Sequence, residues 1–76
     1  MEQIEIVRVQ QYLRDTFGTD RLVLKARESD EGSAEVYIGG EFIGVVYRDE
    51  EEGEVSYSFN MAILDIDLPA GPGAAG

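Results

Sequence analysis

SAEVYIGGEFIGVVYR, residues 33–48, decides the fold. Two alternating apolar runs flank a Gly-rich turn, the strongest short-range sequence signal for a β-hairpin. With Gly40 and Glu41 as the two-residue loop, Gly39 faces Phe42, Ile38 faces Ile43, Val36 faces Val45 and Ala34 faces Tyr47. One face of the hairpin is then wholly apolar. Slipping the pairing so that Glu41 stands opposite Ile38 mixes charge into that face, so turn and burial select the same register.

Working outward, residues 21–27 alternate, with Leu22, Leu24 and Ala26 on one side and Val23, Lys25 and Arg27 on the other. Setting Ala26 opposite Ala34 brings Leu24 to Val36 and Leu22 to Ile38. On the far side of the hairpin, the acidic loop of residues 49–53 ends in glycine and leads to a fourth alternating run. There Val55, Tyr57 and Phe59 share a face, expected beside Tyr47, Val45 and Ile43 respectively. The buried sheet face is thus predicted to hold Leu22, Leu24, Ala26, Ala34, Val36, Ile38, Ile43, Val45, Tyr47, Val55, Tyr57 and Phe59.

A cover for that face lies at the start of the chain. Across residues 2–17, Ile6, Val9, Leu13 and Phe17 recur at helical spacing, with Tyr12 on the flank of the stripe and Ile4 and Val7 off it. Gly18 stands where a left-handed cap ends a helix, and Arg14 falls in the last turn, where a cation complements the helix dipole. The prediction is an α+β domain over residues 1–68: an N-terminal amphipathic helix packed on one face of a four-stranded antiparallel β-meander. Residues 61–68, MAILDIDL, suit either an edge strand or a short C-terminal turn or helix, and the turn is preferred. Residues 69–76 read as a flexible Gly/Ala/Pro tail.

Composition narrows the chemistry. Seventy-six residues carry sixteen acids against six bases, a formal net charge of -10, with no cysteine and no histidine. Disulfides, thiolate zinc sites and the commonest general base are therefore missing. Such a charge opposes approach to phosphate backbones and anionic lipid, so nucleic acid and membrane are disfavoured as partners. No signal peptide is legible at the start and no apolar run reaches bilayer length, so a cytoplasmic location is expected.

The helix followed by the runs AEVYI, EFIGV, RDE and MAILD resembles the small alphaproteobacterial family known as domain of unknown function 3126. The resemblance covers nearly all of the chain except the tail. It implies no activity and supplies no catalytic residues.

Two surfaces remain as candidates. In a meander, the first and third connections emerge at the same end, which gathers Glu28, Asp30 and Glu31 with Asp49, Glu50, Glu51, Glu52 and Glu54 into an acidic pole. It reads as a solvated cluster, as a docking site for a basic protein, or as a calcium site, although the spacing is not that of an EF-hand. The second is the open sheet face away from the helix, with Val23, Tyr37, Phe42, Gly44 and Val46 as interface candidates. There Gly44 leaves a gap beside Tyr37 into which another group fits. It reads as a partner or homodimer surface, or as an ordinary half-apolar face. Serines without histidine, and carboxylates without a cleft, argue against catalysis. The expectation is a non-enzymatic protein–protein interaction module that needs no cofactor. The alternative is a small-molecule or metal site, or a minor enzymatic one, between helix and sheet.

Overall fold

The structure, a computed structural model, describes residues 1–71. Helix α1 (Gln3–Phe17) is followed by strands β1 (Leu22–Arg27), β2 (Asp30–Ile38), β3 (Glu41–Glu51) and β4 (Glu54–Asn60), and by a 3-10 turn (Asp65–Asp67). The strands form one antiparallel sheet in the order β1-β2-β3-β4, the predicted α+β meander.

The ends of α1 follow from local chemistry. The Glu2 backbone N–H donates to Glu5 Oε1 at 3.1 Å, which satisfies a donor the first turn leaves free. At the other end Gly18 adopts φ 66°, and its backbone N–H reaches the Arg14 carbonyl. Ile6 and Leu13 are the buried helix residues, and they join Leu22, Leu24, Ala34, Val36 and Val46 in the core. The helix lies chiefly over β1. There the Leu24 N–H donates to Gln10 Oε1 at 3.0 Å and Arg14 Nε donates to the Leu22 carbonyl at 2.7 Å. These two bonds block the β1 edge of the sheet, where unpaired backbone otherwise recruits another strand.

The β1–β2 register is the predicted one, with Leu22 opposite Ile38, Leu24 opposite Val36 and Ala26 opposite Ala34. The next hairpin corrects the expectation. Its turn is Gly39-Gly40, both at positive φ (60° and 82°), as the favoured two-residue hairpin turn requires. Ile38 therefore stands opposite Glu41 and Tyr37 opposite Phe42, after which the register shifts and Val36 pairs with Gly44. Ile43 is the extra residue of a β-bulge. Beyond it Ala34 faces Val46, not Tyr47. The bulge inverts the predicted sidedness of β3: Val46 is 1% exposed in the core, whereas Tyr47 is 42% exposed.

Strand β4 shows its predicted face to the helix but pairs differently. Phe59 stands opposite Val46 and Tyr57 opposite Arg48, in place of Ile43 and Val45. Val55, expected beside Tyr47, pairs with Glu50 and is exposed. Ala26 and Phe17 are also exposed. Phe17 still meets Phe59 edge-on, with ring centroids 6.2 Å apart.

After Asn60 the chain leaves the body. Met61, Ile63, Leu64, Ile66 and Leu68 are all exposed, Ile66 to 87%. The molecule measures 52 × 26 × 23 Å with a radius of gyration of 15.1 Å, against about 11 Å for a compact chain of this length. Most of the predicted tail, residues 72–76, lies outside the described residues.

Candidate interaction surface

Because α1 covers the β1 side, the helix-facing surface of β3 and β4 is only partly roofed. Two features build what is left. At the end nearer the start of α1, three side chains converge. Glu5 Oε2 accepts from Arg48 Nε at 2.6 Å and from the Tyr57 hydroxyl at 2.6 Å, and Arg48 Nη1 also donates to Glu50 Oε1 at 3.1 Å. The Tyr57 hydroxyl, the Glu2 backbone N–H and the Arg48 guanidinium, in that order of effect, hold the Glu5 carboxyl at about 2 against an ordinary 4.5. The same contact pushes the Tyr57 phenol upward, since ionising it beside Glu5 sets two anions together and loses the hydrogen bond.

Alongside this knot runs an apolar groove of about 340 Å³, lined by Val9, Tyr12, Leu13, Val46, Tyr57 and Phe59. The helix supplies the first three at spacings of three and four residues, and β3 and β4 supply the rest from one face. The groove flanks the β4 edge. Among the described residues, nothing outside the sheet hydrogen-bonds to the backbone of β4.

The predicted interface residues do not stay together. Val23, Tyr37 and Phe42 remain on the sheet face away from the helix, where Tyr37 and Phe42 pack edge-on at 5.7 Å. Lys25 Nζ stands 4.7 Å from the Tyr37 ring centre, and the Tyr37 hydroxyl donates to Glu35 Oε1 at 2.8 Å. Gly44 and Val46 point to the helix side. The gap at Gly44 is filled from within: a Cβ there would lie 2.4 Å from the Asn60 carbonyl oxygen and 2.7 Å from Phe59 Cε1. Glycine is needed for β4 to close on β3, not to admit a partner.

The acidic residues lie at the two turns on one end of the sheet. Glu28 lies in the β1–β2 turn with Asp30 and Glu31 at the start of β2, and Asp49, Glu50, Glu51, Glu52 and Glu54 belong to the β3–β4 hairpin. Asp30 is used locally. Its Oδ1 accepts the Gly32 N–H at 2.9 Å, and that bond, ahead of the neighbouring Ser33, lowers its pKa. Glu28 and Glu31 line an open recess with Glu2, Glu5, Arg27 and Arg48, where the cations offset part of the charge. Among the described residues no three acidic side chains converge closely enough to hold a metal ion.

Sequence reasoning missed the Glu5–Arg48–Tyr57 knot and the groove beside it. The available signal was Arg48 itself. It ends the Gly44–Val46–Arg48 row, and a cation on a helix-facing row calls for a carboxylate on the helix. Glu5, one turn before Val9 on the α1 stripe, is that carboxylate.

Among the described residues no helix is long and apolar enough to cross a membrane. A family model described as "Protein of unknown function (DUF3126)" matches residues 5–67, which runs from the first turn of α1 through the 3-10 turn. No curated protein and no solved structure matches the chain significantly.

Proposed function

We propose, for a chain that belongs to the DUF3126 family, a non-enzymatic role as a protein–protein interaction module. Its contact surface is the apolar groove between α1 and β4, together with the exposed residues 61–68. One observation carries this reading: large apolar side chains stand in water both on the body, at Tyr12 and Tyr57, and beyond it, at Ile63 and Ile66. Surfaces of that kind mark contact sites in soluble domains. The Tyr57 and Phe59 rings, with Tyr12 opposite, are the residue types that anchor interfaces.

This moves the predicted interface from one sheet face to the other. Tyr37 on the outer face already spends its hydroxyl on Glu35 and its ring on Lys25 and Phe42. The acidic pole then acts at longer range, favouring a partner with a basic rim and disfavouring nucleic acid and membrane. The reading sets the module in the cytoplasm, where a cysteine-free chain has no disulfide to lose. A groove of about 340 Å³ is also within the size range of small-molecule sites, which favours an apolar ligand as the second reading.

The test is recovery of bound protein from native extract by the wild-type chain and by Tyr12→Asp, with Phe42→Asp as the outer-face control. Loss with Tyr12→Asp and retention with Phe42→Asp is expected. Equal recovery by all three removes the groove from function, and a melting-temperature rise with apolar metabolites alone turns the reading to a ligand site.

A further inference from the structure

We infer that the groove between α1 and β4 is filled by residues 61–68 of a second copy of this chain, in a reciprocal, two-fold exchange of C-terminal arms. The inference rests on the interaction-module reading and names its partner.

The groove and the arm are unsatisfied complements carried by one chain. The groove is apolar and bordered by the one sheet edge that α1 leaves bare, while Gln10 and Arg14 seal the other. The arm is apolar on Ile63, Leu64, Ile66 and Leu68, all exposed, and projects from a body only 26 × 23 Å across. With Asp65–Asp67 in a 3-10 turn at about 2 Å per residue and the other five residues extended, the arm reaches about 22 Å. A 15-residue helix such as α1 is about 22 Å long, so one arm spans the groove from end to end.

Charge agrees with the apolar fit. The arm carries Asp65 and Asp67 on either side of Ile66. On the helix, Arg8 stands one turn before Tyr12 on the groove side, is exposed, and makes no ion pair among the described residues. When each arm occupies the other chain's groove, both copies bury the same surfaces and the arrangement closes, leaving no arm or groove to recruit a third chain. Two chains of net charge -10 repel one another, so the contact is studied where salt screens that field.

Sedimentation velocity of the full chain from about 5 to about 200 µM, in about 0.15 M salt, decides it. A reversible dimer is expected. Ile66→Asp and Tyr12→Asp should each weaken it at least about tenfold, while Phe42→Asp on the outer face leaves it within about twofold. Each variant is checked by circular dichroism for an unchanged helix signal, with Ile66→Ser and Tyr12→Ser as substitutes for any variant that unfolds. A wild-type monomer throughout, a dimer indifferent to either groove or arm, or a dimer lost with Phe42→Asp overturns the exchange. A monomer whose partner recovery still depends on Tyr12 leaves the interaction module standing with a different occupant. Recovery indifferent to Tyr12 removes that reading as well.

Discussion

Glu5 joins the first element of the chain to the last strand of the sheet, and its chemistry is open to titration. Its carboxyl sits at about 2 in the fold, chiefly because the Tyr57 hydroxyl donates to it. Tyr57→Phe removes that donor and should raise the Glu5 pKa toward 4.5, while Arg48 and the Glu2 N–H still hold it below. Carboxyl-carbon NMR titration reads this directly, and a value that stays near 2 would show that the phenol is not the main cause. The stability consequence has a definite sign. A carboxylate depressed in the fold contributes stability above its unfolded value near 4.5, and that contribution is lost as pH falls toward 2. Tyr57 acts in the opposite range: its raised phenol contributes below pH 10 and loses that contribution as pH rises through the folded value. Glu5→Gln should therefore flatten urea-denaturation midpoints in both windows, below pH 4.5 and above pH 10. Another residue is held in strain. Glu52, at φ 52°, is the one non-glycine with positive φ among the described residues, and it occupies the β3–β4 turn beside Gly53. That conformation costs an ordinary L-residue roughly 1–2 kcal/mol, and asparagine tolerates it better. Glu52→Asn should stabilise the fold by about 0.5–1 kcal/mol in urea denaturation, and a loss of stability would locate a use for the Glu52 carboxylate.

At the scale of elements, β3 decides which side of the sheet is core. The bulge at Ile43 turns Val46 inward and Tyr47 outward, so a pair of truncations separates the two registers. Val46→Ala should cost about 1–3 kcal/mol through the space it leaves in the core, and Tyr47→Ala less than about 1 kcal/mol. The reverse order would restore the unbulged hairpin. Gly44→Ala tests the same strand from the other side, because its new Cβ collides with the Asn60 carbonyl, a backbone atom that cannot swing away. A loss of about 1–3 kcal/mol is expected. These sites also mark how far the sequence could be read. Helical spacing and alternation identified α1 and four strands, and the β1–β2 pairing followed because both strands are regular from Leu22 to Ala26. The β2–β3 pairing failed on two local choices: Gly39-Gly40 in place of Gly40-Glu41 as the turn, which moves every pair by two residues and keeps the sidedness, and the bulge at Ile43, which moves them back by one and inverts it. Glycine at both turn positions satisfies the two positive φ angles, and it is the bulge beyond the turn that changes the parity. Ile43, Val45 and Tyr47 also look more apolar than Gly44, Val46 and Arg48. What tips the balance is Glu5 on the helix, which gives Arg48 a partner that no inspection of β3 alone reveals. The candidate surface moved with the register: Gly44 and Val46 crossed to the helix side, while Val23, Tyr37 and Phe42 stayed.

For the whole molecule, the opposing terms are an exposed apolar surface and a large negative charge. Sixteen acids and six bases share a small body, and both ion pairs among the described residues use Arg48. Most of the acidic charge is therefore balanced only by solvent ions. Mutual repulsion raises the free energy of the compact state more than that of the expanded chain, because folding brings the acidic turns of β1–β2 and β3–β4 to one end of the sheet. Added salt should relieve this. As sodium chloride rises from about 0.01 M to 0.3 M, the Debye length contracts from about 30 Å to below 10 Å, which is shorter than the body is wide. Screening also weakens the Arg48 pairs, but one cation against a surplus of ten negative charges is the smaller effect. The thermal midpoint, measured on dilute chain to keep association out of the signal, should rise across that range and level off. A midpoint that falls with salt would mean that paired charges, Glu5–Arg48 above all, outweigh the repulsion. The Glu5→Gln variant would then lose the fall.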